Sequence, residues 1–112
     1  MMSDLTPQEI FEERIAEGLR KNPDEAKRIN AVFQFKISGP DGGDWVVDLT
    51  VPEVREEVAT DAQCTVTMRD KDFVDMVEGT LAPTQAFMTG KLGVDGDIGL
   101  AMKLQAIFNL QG

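Results

Sequence analysis

Apolar and polar positions change period several times along the chain, and each change marks an element. Thr6-Pro7-Gln8-Glu9 has the form of a capping box with proline at the first helical position. Behind it Ile10, Phe11, Arg14, Ile15, Gly18 and Leu19 recur near one face, while Glu9, Glu12, Glu13 and Glu17 fall mostly on the other. This predicts an amphipathic helix of about four turns. Asn22-Pro23-Asp24-Glu25 repeats the start signal for a short helix to about Ile29. From Ala31 to Ser38 the period drops to two, with Phe33, Phe35 and Ile37 on one face and Gln34 and Lys36 on the other. Gly39 to Gly43 is a dense turn, and Asp44 to Val51 alternates again through Trp45, Val47, Leu49 and Val51. The two runs read as an antiparallel hairpin. After Pro52, the charged stretch Val54 to Ala59 reads as an edge strand, because an edge tolerates charge.

The second half continues in the same way. Cys64 to Arg69 alternates, with Cys64, Val66 and Met68 on one face. Asp70 is placed to cap a helix carrying Phe73, Met76 and Val77, and Gly79 stops it. Pro83 opens a short helix through about Met88, and Gly90 ends it. Lys91 to Asp95 is a short strand, and Asp97 caps a last helix to about Asn109 that is apolar around much of its girth. The order α, α, β, β, β, β, α, α, β, α predicts one α+β domain over residues 1–112, with helices on one face of a mostly antiparallel sheet.

Charge narrows the partners. Twenty acidic and eleven basic residues leave a net charge of −9, which repels nucleic-acid phosphates and anionic headgroups. Solubility accounts for that surface, and a basic partner is the alternative. No apolar run reaches the ~20 residues of a membrane span. The N-terminus lacks the pattern of a signal peptide, and the terminal Asn-Leu-Gln-Gly is not a peroxisomal signal. With a single cysteine, these features place the expectation in the cytoplasm.

Candidate chemistry is sparse. Histidine is absent, so the usual base and the commonest zinc ligand are both missing. Cys64 has no base to activate it and reads as a buried structural thiol. Asp70, Asp72 and Asp75 suit the start of a helix better than a metal site. Asp95-Gly96-Asp97 lacks the rest of a calcium loop, and the glycines around Lys91 lack phosphate-loop spacing. The expectation is no catalytic residue, no metal and no cofactor. The methionines say more. Met68, Met76, Met88 and Met102 fall on predicted inward positions, and methionine repacks readily around variable shapes. Taken alone, they fit an adaptable apolar pocket and a plain core equally well.

Several segments together carry a resemblance: Ala31 to Ile37, Trp45 to Leu49, Cys64 to Met68, Asp72-Phe73, Gln85-Ala86-Phe87-Met88-Thr89-Gly90-Lys91-Leu92 and Gly99 to Gln105. They resemble the sterol carrier protein type 2 family along nearly the whole chain. The resemblance implies a five-stranded sheet covered by helices on one side, with Leu92 to Asp95 as the fifth strand. It also implies a hydrophobic tunnel for fatty acids, fatty acyl-CoA, phospholipids or sterols. Carried over by position, the lipid-binding residues would be Phe35, Met76, Val77, Leu81, Phe87 and Met102, with Met88 added from the methionine group. Some relatives have glutamine where this chain has Met102, and Gln105, one turn on, is the candidate substitute. The function implied is non-enzymatic lipid binding and transfer, with at most transient membrane contact. The alternative is an accessory scaffold that presents a hydrophobic intermediate to a protein partner, and a thioesterase is the remote third.

Overall fold

The computed structural model describes residues 5–109, without the side chains of residues 105, 108 and 109. The chain starts with a helical run over residues 7–21, called α1. It comprises Pro7–Glu9, a wider π-type stretch Ile10–Ile15, and Ala16–Lys21. The Thr6 cap forms: the Glu9 amide donates to the Thr6 hydroxyl at 3.3 Å, while the Glu9 carboxylate accepts from that hydroxyl, at 3.4 Å, rather than from the Thr6 amide of a full capping box. Within the wide turn the Ala16 amide reaches the carbonyl of Phe11, five residues back. That spacing brings Ile10 and Ile15 to the same side, and both are fully buried along with Phe11. Helix α2 (Pro23–Ile29) ends at Asn30 in the left-handed region, with φ of 50°.

Strands β1 (Val32–Ser38), β2 (Gly43–Asp48), β3 (Glu53–Arg55), β4 (Cys64–Arg69) and β5 (Leu92–Gly96) form one sheet in the order β3-β2-β1-β4-β5. The predicted hairpin forms, pairing Phe35 with Trp45 and Phe33 with Val47. Pairing is antiparallel for β1–β2, β2–β3 and β4–β5, and parallel for β1–β4. The parallel pair needs a crossover, which residues 56–63 supply. Gln63 secures its end: its side-chain oxygen accepts from the Val32 amide at 2.8 Å, and its own amide donates to the Val32 carbonyl at 3.0 Å.

Two expectations for this region change. Val51 was placed in register on the second strand, but β2 stops at Asp48 and Val51 lies exposed in the following turn. The edge strand is only Glu53–Arg55, and the charged residues after it fold across the outer face of the sheet. Gln34, on that face, explains the fold-over. Its amide group donates to the carbonyls of Trp45 and Glu57, each at 3.1 Å, and its oxygen accepts from the Ala59 amide. A buried carboxamide with these partners is satisfied, whereas a continued edge strand would leave it without them. Gln34 and its register partner Val46 are thereby buried.

The helices cover the inner face. Helix α3 (Asp70–Glu78) follows β4 directly and ends at Gly79, with φ of 89°. Asp70 does not cap its own helix as expected; Arg69 is the flanking residue, with no side-chain cap bond. The Asp70 carboxylate accepts instead from the amides of Lys71 at 2.8 Å and of Asp41 at 3.0 Å, tying the β1–β2 turn to the helix start. The turn leaves no room for a side chain at Gly39, where a Cβ would lie 2.5 Å from that carboxylate. Helix α4 (Pro83–Met88) precedes β5. The predicted last helix is broken into α5 (Ile98–Ala101) and α6 (Leu104–Asn109), with a turn at Met102 and Lys103. Asp97 caps α5 as expected, accepting from the Leu100 amide at 3.3 Å.

At the centre of the helix–sheet layer lies an aromatic cluster. Phe11 stacks with Trp45 and with Phe73, both at a ring separation of 4.8 Å, and tilts against Phe35 at 5.0 Å. Each of these rings is at most 2% exposed. Trp45 keeps its polar edge satisfied by donating from Nε1 to the Glu12 carboxylate at 3.0 Å.

Candidate functional site: an apolar groove between α4, β5 and α5

β5 is an edge strand, so one side of its inner face has no neighbouring strand to bring a helix over it. Leu92 and Val94 project there, and the short helices α4 and α5 stand on either side. The result is a groove of about 260 Å3 lined by Ala82, Pro83, Thr84, Phe87, Leu92, Val94, Ile98, Ala101 and Met102. Local sequence sets each wall. Pro83 fixes the first turn of α4, and Asp97 fixes that of α5, so that Phe87 and Ile98 border the same space. Among the described residues, Thr84 is the only lining residue with a polar side chain, and none is ionisable. The walls can therefore bury hydrocarbon.

The structure distributes the expected lipid-binding residues unequally. Phe87 and Met102 come together at the groove. Met76, Val77 and Leu81 are buried in the core, in one cluster with Leu92 and Ala101, which reach the groove. Phe35 lies deeper, fully buried among Phe11, Phe33 and Phe73. The Gln105 side chain lies outside the described part of the structure.

The inward placement expected of Met88 and Met102 is corrected. Met68 and Met76 are buried, but Met88 is 79% exposed and Met102 70%. On α4 the residue facing the core is Ala86, and two residues further on a helix points about 200° away. Met88 therefore projects to solvent and lines no part of the groove. Met102 sits in the break between α5 and α6, where Ala101 and Leu104 take the buried positions. Its side chain forms the outer lip of the groove.

Ile98, Val94 and Leu92 were not singled out for the site from sequence, although they build much of it. Their signal was present: an apolar residue immediately after a capping aspartate, beside a short strand alternating Leu92, Gly93, Val94 and Asp95.

The other polar groups have structural roles. Cys64 is buried; burial pushes its thiol up, and the carboxylates of Asp97 and Asp95 push it further, which disfavours the reactive thiolate. Among the described residues no group of three or more Cys, Asp or Glu side chains is arranged to hold a metal ion. Among them, too, no helix is long and apolar enough to cross a membrane.

Comparison with known proteins agrees with this architecture. Hydroxysteroid dehydrogenase-like protein 2 of Bos taurus is 42% identical over 89 residues, covering 77% of this chain and 21% of that protein. The chain thus spans about a fifth of the length of that curated relative. Sterol Carrier Protein 2 from Yarrowia lipolytica, in its apo form, superposes with a TM-score of 0.77 at 27% identity, covering 86% of this chain and 84% of that one. Palmitated SCP2L2 from Aedes aegypti superposes with a TM-score of 0.75 at 28% identity, covering 93% of this chain and 95% of that one. The model of the SCP-2 sterol transfer family matches residues 11–109, the span that carries both the sheet and the groove, and the chain belongs to that family.

Proposed function

We propose that this domain binds and transfers lipids without catalysis, taking the hydrocarbon part of a fatty acid, fatty acyl-CoA or similar molecule into the groove between α4, β5 and α5. The observation that carries this reading is the lining itself, in which one threonine is the only polar side chain among the described residues and Phe87, Ile98 and Met102 are held partly open to solvent. A relative of the same fold has been determined in palmitated form, in keeping with an acyl tail as cargo. Among the described residues no nucleophile–base pair lines the groove, which argues for carriage and against acyl transfer. The buried Cys64 accords with a reducing, cytoplasmic setting.

Burial of about ten methylenes gains on the order of 8 kcal/mol before costs. Ordering the tail and restricting its motion consume several kcal/mol, which leaves about 4–5 kcal/mol and affinities between about 0.1 and 1 mM for the open groove alone. A full-length tail needs more room than the open groove. Outward movement of α5, a four-residue helix hinged at Met102 and Lys103, would extend the groove toward Met76, Val77 and Leu81 and complete a tunnel. Those core side chains are the ones a long tail would then touch.

Titration of the purified, delipidated protein with a fluorescent fatty acid tests the proposal. Saturable binding at one site per chain, displaced by unlabelled palmitate, is the expected result. A protein that takes up no acyl ligand, or that releases free thiol from acyl-CoA, would overturn it.

A further inference from the structure

We propose that α4 and α5 also form the surface by which this protein docks on a bilayer, and that the bilayer it fits is zwitterionic. The inference builds on the groove reading, because it concerns the surface onto which the groove opens. Among the described residues, the exposed large hydrophobics are Val51, Val58, Phe87, Met88, Ile98 and Met102. Four of these six belong to α4, α5 or the turn that follows α5. Phe87, Ile98 and Met102 line the groove, so a bound tail would account for them.

Met88 is different. It is 79% exposed and touches no part of the groove, so cargo does not explain an apolar side chain there. An interface that receives the rim of the groove does explain it. Amphipathic helices that rest in the interfacial zone carry large apolar side chains on the face that enters. A tail moving between groove and bilayer would then stay out of water along its path.

Charge selects the kind of surface. The segment that carries β5 and α5, residues 91–103, has exposed Lys91 and Lys103 and exposed Asp95 and Asp97, two charges of each sign. A headgroup carrying both a phosphate and an ammonium can answer both signs. An anionic surface meets the whole protein's net charge of −9, and that repulsion acts over about 8 Å at physiological ionic strength. Docking is thus driven by apolar insertion and opposed by anionic lipid.

The experiment separates docking from cargo binding. Wild type and the Met88→Ser variant are compared in flotation with phosphatidylcholine vesicles, with and without added phosphatidylserine. The rate of fluorescent fatty acid transfer to those vesicles is measured alongside, and fatty acid affinity is measured without vesicles. Wild type should float with phosphatidylcholine, float less when phosphatidylserine is added, and recover part of that loss in high salt. Met88→Ser should transfer about tenfold more slowly, the worth of one buried methionine side chain, with unchanged fatty acid affinity. Equal transfer rates, stronger association with phosphatidylserine, or a dimer that Met88→Ser dissolves would overturn the proposal; the last would assign the patch to a second copy of the chain. If the protein bound no fatty acid, the groove reading would fail, and flotation of the empty protein would still decide whether this surface docks.

Discussion

Phe11 on the first helix lies almost flat against Phe73 on α3, with ring centroids 4.8 Å apart and planes 11° from parallel. The contact joins two helices far apart in sequence, and both rings rest on the sheet through Phe35. Neither Phe11 nor Phe73 lines the groove. Stability and cargo space are therefore carried by different parts of the same layer. Phe11→Ala should cost about 3–5 kcal/mol in denaturant unfolding, the range for removing a buried phenylalanine. Phe11→Leu should cost less, because it keeps most of the apolar volume. A loss below about 1 kcal/mol for Phe11→Ala would contradict the central role of this contact.

At the groove, Phe87→Ala and Met102→Glu should both weaken fatty acid binding. Phe87 is about half exposed without ligand, so its truncation removes part of one aromatic contact, a loss on the order of tenfold. Met102→Glu places a charge at the lip and should cost at least as much, since the bound tail would exclude water from that carboxylate. Equilibrium titration measures both. Unchanged affinity in the two variants would remove this groove as the binding site.

On the outer face, Gln34 holds the segment after β3 against the sheet. Gln34→Ala leaves the buried partners of its amide to find water, with an expected cost of about 1–3 kcal/mol. A local readout accompanies that loss: the Ala59 amide, which donates to Gln34 in the native protein, should exchange with solvent deuterium faster. Hydrogen-exchange mass spectrometry over residues 56–60 checks it.

Asp48 gives a pH dependence with a definite sign. Burial pushes its carboxyl up, but the Thr50 hydroxyl and amide and the Arg55 guanidinium together hold it below its ordinary value of 3.8. A carboxyl lower in the folded than in the unfolded chain contributes stability that is fully present above the unfolded value. That contribution disappears as pH falls from about 4 through the folded value. Asp48→Asn should accordingly lose stability at neutral pH and show a shallower fall on acidification. Arg55 is shared with Glu53 and Glu57, so the three carboxylates draw on one cation, and high salt should weaken the effect only in part.

Much of the fold was legible because its signals are local. Thr6, Glu9, Asp97 and Gly79 mark helix ends through hydrogen bonds or backbone angles within a few residues. The alternation from Phe33 to Ile37 and at Trp45 and Val47 set the hairpin and its inner face. The edge segment was less legible because its path depends on Gln34, about twenty residues earlier. The methionines misled for a similar reason. Periodicity placed Met88 and Met102 on apolar stripes, but on α4 Ala86 takes the core-facing position, about 200° round the helix from Met88, and a break after Ala101 turns Met102 outward.

The sequence by itself determined the α+β class, the order of elements up to the last helix, and the aromatic core positions. It did so because capping, period and residue chemistry act over single turns or strands. Tertiary structure alone decided which apolar residues remain partly uncovered. β5 takes the sheet edge, only short helices stand beside it, and Leu92, Val94, Phe87, Ile98 and Met102 are left around an open space. Burial depends on which neighbours arrive from distant parts of the chain, and that information lies in the assembled layers.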